Sequence, residues 1–160
     1  MRNSAALLLI ALAAPLAAKD SLGVFYDWGA FRDASVPRCY AIAVPAASQA
    51  NREFEPFATI GTWPRRNLRG QVHFRLSRAL ADTANVVLLV GGKSFRLTGG
   101  GADAWAEDRT MDAAIVAAMR SATRMTIRAT DNRGRRFSNA YSLAGAATAM
   151  DAATLACSRR

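Results

Sequence analysis

From about residue 22 to residue 98, apolar and polar side chains alternate with a period of two, the signature of strands with one buried face. The clearest case is Gln71–Arg78. Val72, Phe74 and Leu76 share one face there, and His73, Arg75 and Ser77 take the other, which leaves His73 exposed or half-exposed. Val24–Trp28, Cys39–Val44, Ala58–Trp63, Val86–Val90 and Ser94–Leu97 read as further strands. Gly91-Gly92 between the last two supplies the positive φ of a hairpin turn. A loop rich in Ala, Ser, Gln and Asn is expected from about Ala46 to Asn51.

Beyond residue 110 the period changes. Met111, Ile115, Val116 and Met119 recur at helical spacing, with Thr110 as the expected N-cap, and predict a short helix over about 111–121. Met125, Ile127 and Ala129 then alternate with Thr126, Arg128 and Thr130. The turn Asp131-Asn132-Arg133-Gly134 leads into a second strand from Arg135 to Leu143. Ala149, Met150, Ala153 and Cys157 form one stripe of a terminal helix over about 146–157. Strands outnumber helices. The expected fold is mainly β, an antiparallel sandwich or barrel-like sheet carrying two short helices.

The first residues follow another logic. Arg2 precedes an apolar run from Ala5 to Ala14, and Leu16-Ala17-Ala18 closes it with small residues, the layout of a secretory signal peptide cleaved after Ala18. The run is shorter than the roughly 20 apolar residues a transmembrane helix needs. Residues 1–18 are therefore expected to direct export, and 19–160 to form a single β-rich domain in the periplasm or outside the cell. In an oxidising compartment the only two cysteines, Cys39 and Cys157, are expected to pair and to pin the C-terminal helix to an N-terminal strand. Two cysteines with a single histidine do not supply the usual four ligands of structural zinc, so neither metal nor cofactor is expected.

Formal net charge is +9. It is unevenly spread: residues 19–64 carry four basic and five acidic side chains, whereas 65–136 carry fourteen basic and six acidic. Nearly all the cations are Arg, whose planar fork pairs with phosphate and carboxylate. Arg65, Arg66, Arg69, Arg75 and Arg78 are candidates for one anion-binding patch, and Arg133, Arg135 and Arg136 for another at a hairpin tip. A solvated basic face without a ligand is the simpler alternative. Aromatic residues do not interleave with these arginines as a single-strand platform requires, so no nucleic acid is expected. The expected partner is an anionic envelope component such as lipopolysaccharide or phospholipid, or a periplasmic protein.

Catalytic chemistry finds little support. His73 is the sole imidazole, and no Gly-x-Ser-x-Gly elbow or His-Glu-x-x-His pair occurs. In the tract from Gly99 to Asp108 three glycines are followed by Asp103, Glu107 and Asp108. These are conceivable calcium ligands, but their spacing matches no EF-hand loop, and a glycine turn leading into an acidic helix start is the preferred account. Trp28, Trp63 and Trp105 read as core or rim aromatics rather than sugar platforms.

The order of features in the C-terminal half adds a resemblance. Met111-Asp112-Ala113-Ala114-Ile115 opens a helix, Thr126 to Arg135 makes a hairpin, and Ser142-Leu143-Ala144-Gly145-Ala146 starts an Ala-rich helix. With Cys39-Tyr40-Ala41-Ile42 following Trp28, this order resembles the invasion-associated locus B family. The resemblance implies an exported, mainly β bacterial envelope protein with no established enzymatic activity. Members of that family often carry a close cysteine pair before the short helix, where this chain has the cysteine-free stretch Gly99–Asp108. The leading expectation is a non-enzymatic envelope protein that binds an envelope component through arginines. The alternatives are an inhibitor or chaperone-like binder of a periplasmic enzyme, and a small secreted hydrolase acting on an anionic substrate through two carboxylates from among Asp103, Glu107 and Asp108.

Overall fold

The computed structural model describes residues 19–47 and 51–158. The export segment expected at 1–18 lies outside the described residues, as do residues 48–50 of the loop expected at 46–51. Ten strands are present among the described residues: β1 (Asp20–Phe25), β2 (Trp28–Asp33), β3 (Arg38–Ala43), β4 (Phe57–Trp63), β5 (Leu68–Arg75), β6 (Val86–Val90), β7 (Lys93–Gly100), β8 (Asp103–Trp105), β9 (Arg124–Thr130) and β10 (Arg136–Ser142). Helix α1 (Arg109–Ser121) lies between β8 and β9, and α2 (Ala146–Ser158) follows β10. All strand pairs are antiparallel, in one open sheet of order β1-β2-β3-β4-β5-β8-β7-β6-β9-β10.

The mainly β architecture with two helices agrees with the periodicity, but individual elements depart from it. The strand expected at Val24–Trp28 is instead a hairpin: the chain reverses between β1 and β2, with Tyr26 at φ 53. An aromatic run without Gly or Pro reads as strand, and the left-handed Tyr26 overrides it. The strand expected at Gln71–Arg78 starts earlier, at Leu68, and ends at Arg75. The N-cap of α1 is Asp108 rather than Thr110: its carboxylate accepts the Met111 N–H at 2.7 Å, which places Thr110 inside the first turn. The acidic tract also contains a strand, β8, whose three residues join β7 to β5 by backbone pairing.

The sheet bends back so that β10 reaches the far end of β5. Phe74 on β5 meets Tyr141 on β10 with ring centroids 6.2 Å apart, and Asn139 exchanges hydrogen bonds with Ser77. Val72, Phe74, Val86, Leu88, Met125, Ile127 and Tyr141 are buried in one core with Ile115 and Met119 of α1. Helix α2 covers the start of the sheet with small residues: Ala146, Ala149 and Ala153 are buried, as are Ala30, Ala41, Ala43 and Ala58 on β2, β3 and β4. Small side chains on both sides permit a close approach. At Gly145, φ is 83, and an added Cβ would stand 1.8 Å from the Phe25 carbonyl oxygen. Only glycine fits where the start of α2 meets the β1–β2 turn.

Two links hold the helices down. Cys39 on β3 is bonded to Cys157 on α2, with Cα atoms 5.8 Å apart across 118 residues. Asp112 in the first turn of α1 accepts the Val72 N–H at 2.8 Å, one residue before the point where β8 begins to pair with β5. Burial pushes the Asp112 carboxyl above its ordinary range, with Asp108 adding to the rise against the opposing Val72 bond. Replacing both cysteines by Ala should lower unfolding free energy by up to about 4 to 5 kcal/mol on the chain-entropy account, read by denaturant titration. Asp112→Ala, which leaves the Val72 N–H without its acceptor, should lose about 1 to 3 kcal/mol, whereas Asp112→Asn keeps the acceptor and should lose far less.

Candidate functional site

Of the eight arginines singled out from the sequence, Arg75, Arg78 and Arg135 are held by carboxylates. Arg69 and Arg75 stand at opposite ends of β5, roughly 20 Å apart at strand rise. Arg75 is bound to Asp103 and lies 4.9 Å over the Phe54 ring. Arg78 is 8% exposed, donating to Asp131 at 3.1 Å and to the Asn51 carbonyl at 3.1 Å. Arg135 also donates to Asp131, at 2.9 Å. Arg75, Arg78 and Arg135 are thus engaged by carboxylates, which spacing along the chain does not reveal. Arg65 and Arg66 sit exposed on the turn between β4 and β5, and Arg133 is exposed at the β9–β10 tip. Arg136 alone joins a larger cationic surface.

That surface follows from the pleat. Leu88 on β6, Leu97 on β7, Met125, Ile127 and Ala129 on β9, and Phe137 and Tyr141 on β10 point into the core. Their neighbours must point out. The outward positions are Ser94, Arg96 and Thr98 on β7, Val87 and Leu89 on β6, Arg124, Thr126, Arg128 and Thr130 on β9, and Arg136, Ser138, Ala140 and Ser142 on β10. The register places Arg96, Val87, Arg128 and Ser138 side by side across four strands. No carboxylate occupies any of these positions. Among the described residues, Arg96, Arg124, Arg128 and Arg136 make no ion pair, nor does Lys93 at the neighbouring hairpin tip. Half-buried Val87 and Leu89 line an open trough of about 580 Å³ with Arg128, Arg136, Thr130 and Ser138. A smaller hollow beside it is lined by Lys93, Arg124 and Arg128.

A second cluster lies on the outward face of β5 and β8. His73 Nε2 is 2.9 Å from Asp103 Oδ1, its ring stacks on Trp105 at 5.2 Å, and Phe57 meets it edge-on at 5.7 Å. The nearby Thr59 hydroxyl is directed to the His73 carbonyl. The half-buried imidazole therefore cross-links adjacent strands through aromatic packing and a carboxylate that Arg75 also holds. The three carboxylates of the acidic tract are separated in role: Asp103 serves this cluster, Asp108 caps α1, and Glu107 is exposed.

The two sets of arginines are told apart by Asp131, which is wholly buried. Its Oδ1 accepts the Arg133 and Arg135 N–H groups, and its Oδ2 accepts Arg135 Nε and Arg78 Nη1. Burial alone would raise this carboxyl. The hydrogen bonds from Arg135, Arg133 and Arg78 outweigh it and hold the group far below the ordinary carboxylate range.

Comparison with known families then gives a direct answer. The sequence matches the family described as invasion associated locus B (IalB) protein over residues 32–154. The chain belongs to the invasion-associated locus B family. The match runs from β2 into α2, and so takes in the arginine-bearing strands, the acidic tract and both helices. This is an envelope-associated family that is not a known family of enzymes. No curated protein and no solved structure matches the chain.

Because the folded-state pKa of Asp131 is lowered, its stabilisation is present above the ordinary Asp value of about 3.9 and is lost as pH falls through and below it. Asp131→Asn should lower the melting temperature near neutrality by on the order of 5 °C. It should also flatten the acid limb of the stability curve, which calorimetry across pH would read.

Proposed function

We propose that this protein is a non-catalytic periplasmic or secreted envelope protein that holds an anionic envelope component on the outward face of β7, β6, β9 and β10. One observation carries this reading: four arginines share that face with no carboxylate among its outward positions, whereas Arg75, Arg78 and Arg135 are held by Asp103 and Asp131. Unpaired guanidinium groups are available to anionic oxygens without breaking an existing ion pair. Membership of an envelope-associated family supports the location, and a disulfide between Cys39 and Cys157 suits an oxidising compartment. Neutral hydroxyls at Ser94, Thr126, Thr130 and Ser138 add donors between the cations.

Sedimentation with isolated cell envelopes tests this. The mature protein should co-sediment at low ionic strength and be released as salt is raised, since the contacts are exposed and screened. The triple variant Arg96→Glu/Arg128→Glu/Arg136→Glu should remain in the supernatant, while Arg65→Glu/Arg66→Glu/Arg69→Glu, with the same change of charge, should sediment normally. Equal sedimentation of wild type and the first variant would remove this face from the account.

A further inference from the structure

Resting on the reading above, we infer that the anionic component is a lipid surface: the outward face of β7, β6, β9 and β10 lies flat against a layer of anionic headgroups. The spacing of the cations argues first. Arg96 and Arg128 stand two strands apart, about 10 Å, and Arg124 and Arg128 four residues apart along β9, about 13 Å. Cations spread across the width of this four-stranded face offer several points of contact, which suits a planar field of anions. The composition of the face argues second. The anchors of a specific protein interface are aromatic, Met and Arg side chains, with the aromatic and Met ones filling desolvated pockets at its centre. Here the outward positions hold no aromatic or Met residue, and Val87 and Leu89 are half-buried. A headgroup layer asks for no such anchor, because basic side chains near an anionic leaflet bind through charge alone. Access argues third. Helix α2 packs on β1, β2, β3 and β4, and α1 on β5, β6 and β7, where its Ile115 and Met119 join the core on the other side of the sheet. The outward face of β6, β9 and β10 is covered by neither helix.

The orientation follows from the same residues. Lys93 at the β6–β7 tip and Arg124 at the start of β9 mark one end of the contact, and Arg136 at the start of β10 marks the other. The hydroxyls of Thr126, Thr130 and Ser138 lie between them as donors to headgroup oxygens.

The test uses the mature, oxidised protein and protein-free vesicles of equal parts phosphatidylglycerol and phosphatidylcholine, against vesicles of phosphatidylcholine alone. Binding should require phosphatidylglycerol. Arg96→Gln, Arg128→Gln and Arg136→Gln should each weaken it about fivefold, and the triple variant about a hundredfold. Arg65→Gln/Arg66→Gln/Arg69→Gln removes equal charge from outside the face and should bind within about twofold of wild type. Near-ultraviolet circular dichroism and the thiol titre establish that each variant is folded and oxidised. Equal losses in the two triple variants would overturn the proposal in favour of net charge. Equal inhibition of binding and direct complex formation by soluble polyglutamate, with no preference for vesicles, would overturn it in favour of a soluble polyanion. If arginine-dependent sedimentation with whole envelopes persists while phosphatidylglycerol vesicles are not bound, the lipid assignment fails and the broader reading stands.

Discussion

The phase of the pleat in the second half of the sheet governs both the stability of this protein and the surface it presents. Alternate side chains of β6, β7, β9 and β10 enter the core, and apart from Asn139 the inward positions from Leu88 to Tyr141 are apolar. A slip of one residue in β7, β9 or β10 would bring Arg96, Arg124, Arg128 or Arg136 into that core and expel an apolar side chain. An unpaired guanidinium in such surroundings is far costlier than the loss of one aliphatic contact. Register is therefore strongly specified, and with it the direction of every cation on these strands.

Around that half, a few polar links decide which charges remain available. Asp131 gathers Arg78, Arg135 and the backbone of the β9–β10 turn, and so ties the segment after β5 to the far hairpin. Asp103 does the same for His73 and Arg75 across β5 and β8. Each carboxylate lies beside the cation it holds because the fold has already brought two distant strands or loops together. Those arginines contribute to architecture. The arginines on the outward face of β7, β9 and β10 have no such partner, and the difference lies in neighbours rather than in residue type.

The alanine-rich contact of α2 with β2, β3 and β4 supplies the other half of the core. Small residues on both surfaces let helix and sheet approach closely, which yields many weak contacts rather than a few large ones. The bond between Cys39 and Cys157 complements this contact, since it restrains the end of a helix whose inward stripe offers only Met150 as a large apolar side chain. Gly145 and the left-handed Tyr26 belong to the same junction, where the carbonyl of Phe25 leaves no room for a Cβ at Gly145.

Local pattern was enough to place β3, β4, β6 and the β9–β10 hairpin, both helices and the cysteine pair, because each depends on periodicity or on the count of available thiols. It was not enough for the β1–β2 turn, where an aromatic run conceals a left-handed residue. Nor did it reveal β8, a three-residue strand defined by backbone bonds to β5 and β7 that no side-chain pattern records. The alternation in β9 already set Arg128 opposite Met125 and Ile127. By itself the sequence determined that arginines are abundant, that they alternate with apolar residues and that the chain is built mainly of strands. Only the tertiary structure decided which arginines lie beside a carboxylate and which share an unopposed face. That outcome depends on strand order, and strand order is set by long-range pairing between segments whose own composition does not name their neighbours.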